Sequence, residues 1–199
     1  GMFWGGNGGD PYVKVPVVAG HEFFGTVVEA GAGAEEHFGA KIGERVIAEQ
    51  IVPCGHCRFC KSGSYWMCET HNIFGFQHSV AEGGMAEYMI FPPTSIVHKI
   101  PEHISFDDAA IIEPMACAIH TVNRGDIGLE DVVVIAGAGP LGLMMTQVAR
   151  LKTPKKLIVV DPVDARLALA KSYGADLVIN PAKEDVDKIV RSFTDGYVC

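Results

Sequence analysis

The sequence predicts a mixed fold, an antiparallel β domain followed by an open parallel α/β sheet, and three observations carry that reading. Through the first half, short apolar runs alternate with glycine- and proline-rich turns at hairpin-like spacing. From Asp131 onward, uninterrupted apolar runs alternate with helical patterns, which indicates parallel strands covered on both faces. Finally, 48% of the 199 residues are hydrophobic and 20% charged, enough apolar residue to bury a core and to exclude disorder as the overall state.

In chain order, Val15–Ala19, Phe24–Glu29, Arg45–Val52, Ala86–Phe91 and Ser95–Ile100 read as short strands of a barrel-like sheet, interrupted by a cysteine loop. Asp107 and Asp108 suit the N-terminus of a helix through Ala109–Ile112, which Pro114 disturbs and Met115–Val122 resumes. Beyond it come strand Val132–Ala136, helix Pro140–Leu151, strand Leu157–Val160 and helix Asp164–Tyr173. Strand Leu177–Ile179 and helix Lys183–Phe193 follow. The expected division is residues 1–122 and 123–199.

Twenty-four acidic against sixteen basic residues give a net charge of −8, which argues against a general nucleic-acid binder. The nearly unbroken apolar stretch Val132 to Met145 is fourteen residues long, too short for a membrane span. The first ten residues, GMFWGGNGGD, carry no basic flank and no apolar core, unlike a secretory signal. The expectation is a cytoplasmic globule that binds neither nucleic acid nor membrane.

Strand Val132–Ala136 runs into Gly137-Ala138-Gly139-Pro140-Leu141-Gly142, a G-x-G-x-x-G opening a helix. The first glycine permits the tight turn, the second lets backbone approach a pyrophosphate, and the third lets helix and strand pack closely. The helix N-terminus offers free N–H groups to phosphate oxygens. Asp161, at the end of the next strand, can accept hydrogen bonds from ribose hydroxyls and repel a 2′-phosphate. NAD is therefore expected over NADP, although Arg166 nearby could receive a phosphate if it does not lie on the solvated helix face. Gly31-Ala32-Gly33 also follows a strand, but it lacks the third glycine, and Glu35 and Glu36 would repel phosphate. It reads as a turn.

Four of the six cysteines, Cys54, Cys57, Cys60 and Cys68, fall within fifteen residues as C-x2-C-x2-C-x7-C. Four thiolates can close a tetrahedral shell around zinc with no open position, which is a structural site. An iron–sulfur loop shares the first two spacings but continues C-x3-C-P, whereas here the gap is seven and Glu69 follows. A nucleic-acid zinc ribbon lacks basic surroundings here, and clustering without a secretion signal disfavours disulfides. Cys117 reads as a small buried hydrophobe, and the histidines other than His21, including His120, as structural.

Gly20-His21-Glu22-Phe23-Phe24-Gly25, the cysteine loop, Gly83-Gly84-Met85-Ala86-Glu87-Tyr88, Glu113-Pro114 and the glycine loop follow one another in this order. In that combination the chain resembles the zinc-dependent medium-chain dehydrogenases, within the alcohol dehydrogenase superfamily. It resembles the polyol branch, being similar to sorbitol dehydrogenases and, by Glu49-Gln50-Ile51-Val52-Pro53-Cys54, to erythritol/L-threitol dehydrogenases.

The resemblance implies an incomplete GroES-like catalytic domain followed by the first half of a Rossmann fold, with a catalytic zinc between the two. It implies His21 as a catalytic-zinc ligand, Glu22 beside the metal as an occasional ligand, and Glu113 as a ligand directly or through water. It assigns the four cysteines to structural zinc, and Gly137, Gly139, Pro140, Leu141, Gly142, Asp161 and Arg166 to the cofactor site. The family's first catalytic ligand is a cysteine upstream of residue 1, and a full nucleotide fold has a second half, so the chain is expected to be an internal piece of a longer enzyme and inactive alone. The implied reaction is zinc-assisted hydride transfer from a polyol to NAD, in a homo-oligomer. A threonine- or simple-alcohol-type dehydrogenase, or a non-catalytic zinc- and nucleotide-binding protein, are the alternatives.

Overall fold

The computed structural model describes Val13, residues 15–78 and residues 80–197. The chain divides between Glu113 and Pro114 into two compact units. The sequence suggested a division after residue 122, but helix α4 (Ile112–Arg124) continues past Glu113 and buries Val122 in the core of the second unit.

The first unit is built on short antiparallel pairings. Strands β1 (Gly25–Thr26), β2 (Arg45–Ala48) and β5 (Val97–Lys99) form one sheet in the order β1-β2-β5, while β3 (Ile51–Val52) pairs with β4 (Asn72–Ile73). The predicted strand Arg45–Val52 is thus two strands in two sheets. It changes partner at Glu49 and Gln50, whose backbone bonds run to Ile96 and Phe74 respectively. Phe23, Ala48, Val52, Phe74 and Ala81 form the core that these strands enclose.

Two expected strands are not strands. At Val15–Ala19 the backbone bonds are irregular: Val18 donates to the Glu82 carboxylate at 2.7 Å, and the Val18 and Ala19 carbonyls accept from Gly83 and Met85. Ala86–Phe91 pairs with no strand among the described residues. Its period-two pattern survives, however, since Met89 and Phe91 pack on the core while Tyr88 and Ile90 face outward. Phe24–Glu29 contributes only β1, and α1 (Ala34–Phe38) follows the Gly31–Gly33 turn.

Helix α3 (Phe106–Ala109) starts at Ser105, whose hydroxyl oxygen accepts the Asp108 N–H at 3.0 Å. The break at residues 110–111 places Pro114 in the first turn of α4, where a missing N–H costs nothing. On that helix Ala118 and Val122 are buried, whereas Cys117 is exposed. Reading Cys117 as a buried hydrophobe is therefore corrected: it points one position off the buried face.

In the second unit, β6 (Val132–Ala136), β7 (Lys156–Val160) and β8 (Leu177–Ile179) form a parallel sheet in that order. They alternate with α5 (Pro140–Leu151), α6 (Asp164–Ser172) and α7 (Val186–Arg191). Leu157, Ile158 and Val159 on the middle strand are completely buried. Leu157 and Val159 join Ala149, Leu167 and Ala170 on one face, and Ile158 joins Ile179 and Val190 on the other. A strand apolar at every position is what a sheet covered on both sides requires. Helix α7 starts three residues later than the predicted Lys183, where the Asp185 carboxylate caps the Lys188 N–H.

Candidate functional site

Three clusters of chemistry-bearing residues emerge. The first surrounds His21. Gly20 has a left-handed φ of +97°, and neighbouring glycines leave room for its backbone to be approached closely. A Cβ on Gly83 would lie 2.3 Å from the Ala19 carbonyl oxygen, and one on Gly75 would lie 2.8 Å from Gly20 nitrogen. The Gly83–Met85 backbone donates back to the Val18, Gly20 and Ala19 carbonyls. The segment carrying His21 and Glu22 is therefore clasped by two backbone passes that tolerate no side chain at Gly75 or Gly83, and His21 rests 5.8 Å from the Phe76 ring.

Glu113 reaches the same place from the first turn of α4. One ligand atom each from His21, Glu22 and Glu113 lies within 4.8 Å of the others. That is close to the span of a single divalent cation bonding nitrogen and oxygen at ~2.0–2.2 Å. An imidazole and two carboxylates are donors that zinc accepts. The residues present fit a metal.

In the second cluster, the Cys54, Cys57, Cys60 and Cys68 sulfurs also lie within 4.8 Å of one another. Cys54 and Cys60 sulfurs are 3.9 Å apart, and Cys57 and Cys60 sulfurs 3.5 Å. A tetrahedron with zinc–sulfur bonds of ~2.3 Å has edges of about 3.8 Å. The local chain folds around the sulfurs: α2 (Arg58–Lys61) is capped by the Cys57 sulfur, which accepts the Cys60 N–H at 3.5 Å. Cys54 N–H donates to the Cys68 sulfur at 3.3 Å, and Cys57 N–H to the Cys54 sulfur at 3.4 Å.

These donors favour thiolate. The His56 and Cys57 amides draw the Cys54 thiol down to about 6. Burial pushes Cys68 upward, but the amides of Cys54, His71 and Thr70 together outweigh it and leave the thiol below its ordinary value. Burial pushes Cys60 up to about 12, helped by the sulfurs around it. Four sulfurs this close cannot all be anionic without a cation among them, so the cluster can hold zinc.

A latch joins this lobe to the sheet. Tyr65 donates to Glu49 Oε1 at 3.1 Å, and a His98 ring nitrogen lies 3.1 Å from the same oxygen. Desolvation and the Glu49 carboxylate raise the Tyr65 hydroxyl to about 12. Sequence reasoning missed this trio, which comes from three separate stretches of chain without a common motif.

The third cluster is the glycine loop. Gly137 has φ +100° and donates to the Val160 carbonyl at 2.7 Å. Gly139 precedes α5 with no side-chain cap, and Pro140 and Leu141 form the first turn of that helix. Asp161 is buried, with Oδ2 accepting the Ala138 N–H and Oδ1 the Val163 N–H, both at 2.8 Å. Those two amides, and more distantly the Arg166 guanidinium, hold its carboxyl below the usual aspartate range. Arg166 lies 3.8 Å from Asp161 Oδ2 and is half exposed, so it stands beside the acid while facing solvent.

Residues 2–102 match the alcohol dehydrogenase GroES-like domain family, just over half of the chain, and residues 140–198 match the zinc-binding dehydrogenase family. The chain belongs to the zinc-binding alcohol dehydrogenases. It is 44% identical over 195 residues to an erythritol/L-threitol dehydrogenase of Mycolicibacterium smegmatis, covering 98% of this chain and 54% of the relative. An L-threonine 3-dehydrogenase of Pyrococcus abyssi is 42% identical over 184 residues, covering 92% and 51%. A solved structure from E. coli CFT073, described as a short chain alcohol dehydrogenase complexed with the cofactor NADH, superposes with a TM-score of 0.78 at 37% identity, covering 92% and 51%. The chain thus spans about half the length of the curated relatives it matches. As a zinc-binding alcohol dehydrogenase it carries the fold class its sequence predicted, and zinc and a nicotinamide dinucleotide are the cofactors that go with its family. Among the described residues, no helix is long and apolar enough to cross a membrane.

Proposed function

We propose that this zinc-binding alcohol dehydrogenase chain takes part in NAD-dependent oxidation of a polyol of the erythritol, threitol or sorbitol type. The observation that carries the proposal is the convergence of His21, Glu22 and Glu113 on one point, although Glu113 is remote from the other two in sequence. His21 and Glu113 would hold the reactive zinc, with Glu22 as an occasional third ligand. A zinc ion there supplies Lewis-acid polarisation of a substrate oxygen, and the nicotinamide supplies the hydride acceptor.

The chain's own residues do the remaining work. Gly137 makes the tight turn and Gly139 lets the backbone approach a pyrophosphate, and the first turn of α5 offers the Leu141 and Gly142 N–H groups, Pro140 having none to give. Gly142 keeps helix and strand close. Asp161, held ionised by the Ala138 and Val163 amides, keeps lone pairs for the ribose hydroxyls and disfavours a 2′-phosphate. Arg166 partly balances that charge. The four cysteines would hold the structural zinc, as reduced thiols in a reducing compartment such as the cytoplasm.

A threonine dehydrogenase is the second reading, favoured by the 42% identity to such an enzyme. Absorbance of NADH with erythritol, L-threitol, sorbitol, L-threonine and ethanol, measured on the complete protein, separates the two. Turnover of a four- to six-carbon polyol well above the others is expected. Preference for threonine replaces the first reading with the second, and NAD binding without turnover of any of them refutes both.

A further inference from the structure

Asn180 directly follows β8 and is buried, with 5% of its surface exposed. A buried amide needs partners for its donors and its acceptor. Its Nδ2 donates to the Pro162 carbonyl at 3.1 Å and to Asp164 Oδ1 at 2.7 Å, and its Oδ1 accepts the Ala182 N–H at 3.0 Å. The side chain therefore grips the residues on either side of Val163. Val163 in turn donates its N–H to Asp161 Oδ1, while Asp161 Oδ2 receives the Ala138 N–H of the glycine loop. A continuous relay of bonds runs from the end of β8, through the turn after β7, to the carboxylate and the loop.

The chemistry of this position calls for an amide. An aspartate here has no donor for the Pro162 carbonyl and would set a second carboxylate against Asp164, which already pairs with Lys183 at 2.5 Å. A leucine would strand the Pro162 carbonyl and the Ala182 N–H. Neither Asp164 nor Lys183 is buried, so the outer end of the relay is open to substitution without disturbing the core.

We propose that Asn180 is a positioning residue for the adenosine ribose of a bound dinucleotide, acting through the Pro162–Asp164 turn on the Asp161 carboxylate. This rests on the reading of Asp161 as the ribose-binding acid. If it is correct, the turn fixes the Val163 N–H, that N–H fixes the carboxylate, and the carboxylate's remaining lone pairs face the 2′-hydroxyl.

The test compares binding of NADH with binding of its analogue lacking the 2′-hydroxyl of the adenosine ribose, by fluorescence titration of the full chain. The native protein should prefer NADH. Asn180→Asp should weaken NADH about tenfold, ~1.4 kcal/mol, and leave the analogue little changed, so that the preference collapses. Asp164→Ala, at an exposed site, should shift the same ratio in the same direction by a smaller factor, and it decides the matter if Asn180→Asp does not fold. Equal weakening of both ligands, or an unchanged ratio in both variants, overturns the proposal. Asp161→Ser separates the two levels: if it leaves the preference intact, the ribose-acid reading itself fails. If it erases the preference while the other two variants keep it, only the role of Asn180 fails.

Discussion

A Cβ built on Gly142 would lie 1.9 Å from the Gly137 carbonyl oxygen, so the start of α5 and the exit of β6 meet backbone to backbone. No rotamer relieves that clash, because the obstructing atom is main chain. Gly142→Ala should therefore cost about 1–3 kcal/mol or more and reduce NADH binding in parallel. Gly139 differs: its φ is −71° and nothing lies within 4 Å of a Cβ there. Gly139→Ala should change stability by no more than about 0.5 kcal/mol while still weakening NADH, since the methyl group occupies the approach of the pyrophosphate. Urea denaturation together with NADH titration checks both. Wild-type affinity in Gly139→Ala would remove the pyrophosphate from this turn.

The four-sulfur cluster makes a separate prediction about metal. The protein as purified should contain zinc bound by four sulfurs at ~2.3 Å, readable by X-ray absorption. Zinc-finger peptides gain about 10–16 kcal/mol on binding metal, so a chelator should melt residues 54–68 in hydrogen exchange. Cys60→Ala should lose this zinc, as should removal of any of its three neighbours. A metal-free protein whose 54–68 segment keeps its exchange protection would contradict the assignment.

Tyr65 and Glu49 couple that lobe to the sheet through one hydrogen bond. Tyr65→Phe removes the donor and leaves the carboxylate with its His98 contact. A single bond of this kind contributes about 1 kcal/mol, so a fall of a few degrees in Tm is expected, along with faster loss of zinc to chelator. A variant that releases zinc at the native rate would show that the bond does not brace the lobe.

Much of the second unit is legible in the sequence because local pattern and tertiary fate coincide there. Val132–Ala136 and Leu177–Ile179 occupy the predicted bounds, since unbroken β-branched and apolar runs bounded by turn residues mark a strand of a parallel sheet even where one position, such as Val134, is partly exposed. The first unit is harder to read. Ala86–Phe91 has the alternation of a strand, and Met89 and Phe91 do face the core, but alternation records burial and is silent about which backbone lies alongside. Arg45–Val52 looks like one strand because the switch of partner at Glu49 and Gln50 leaves no trace in hydrophobicity. At the candidate site, the four cysteines are singled out by their spacing and His21, Glu22 and Glu113 by family resemblance, and the structure brings each set within 4.8 Å. Asn180 is not singled out, because a lone amide after a strand carries no motif, and its meaning comes only from what it touches.

Asp161 also predicts a pH dependence with a definite sign. Its folded carboxyl titrates below the ordinary aspartate value because the Ala138 and Val163 amides, then Arg166, favour the anion. A group depressed in the folded state stabilises above its unfolded pKa, ~3.9 for aspartate, and that contribution is lost as pH falls through the depressed value. Asp161→Asn has no charge to titrate and turns an amide donor toward backbone donors. It should therefore be less stable than the native protein at neutral pH, and the gap should narrow on acidification below about pH 4. Urea midpoints of the two proteins across that range measure it directly, and the other carboxylates, Asp164 among them, largely cancel in the difference. A gap that stayed constant or widened in acid would mean that the Asp161 anion does not stabilise the loop, and that the Ala138 contact at 2.8 Å has little energetic weight.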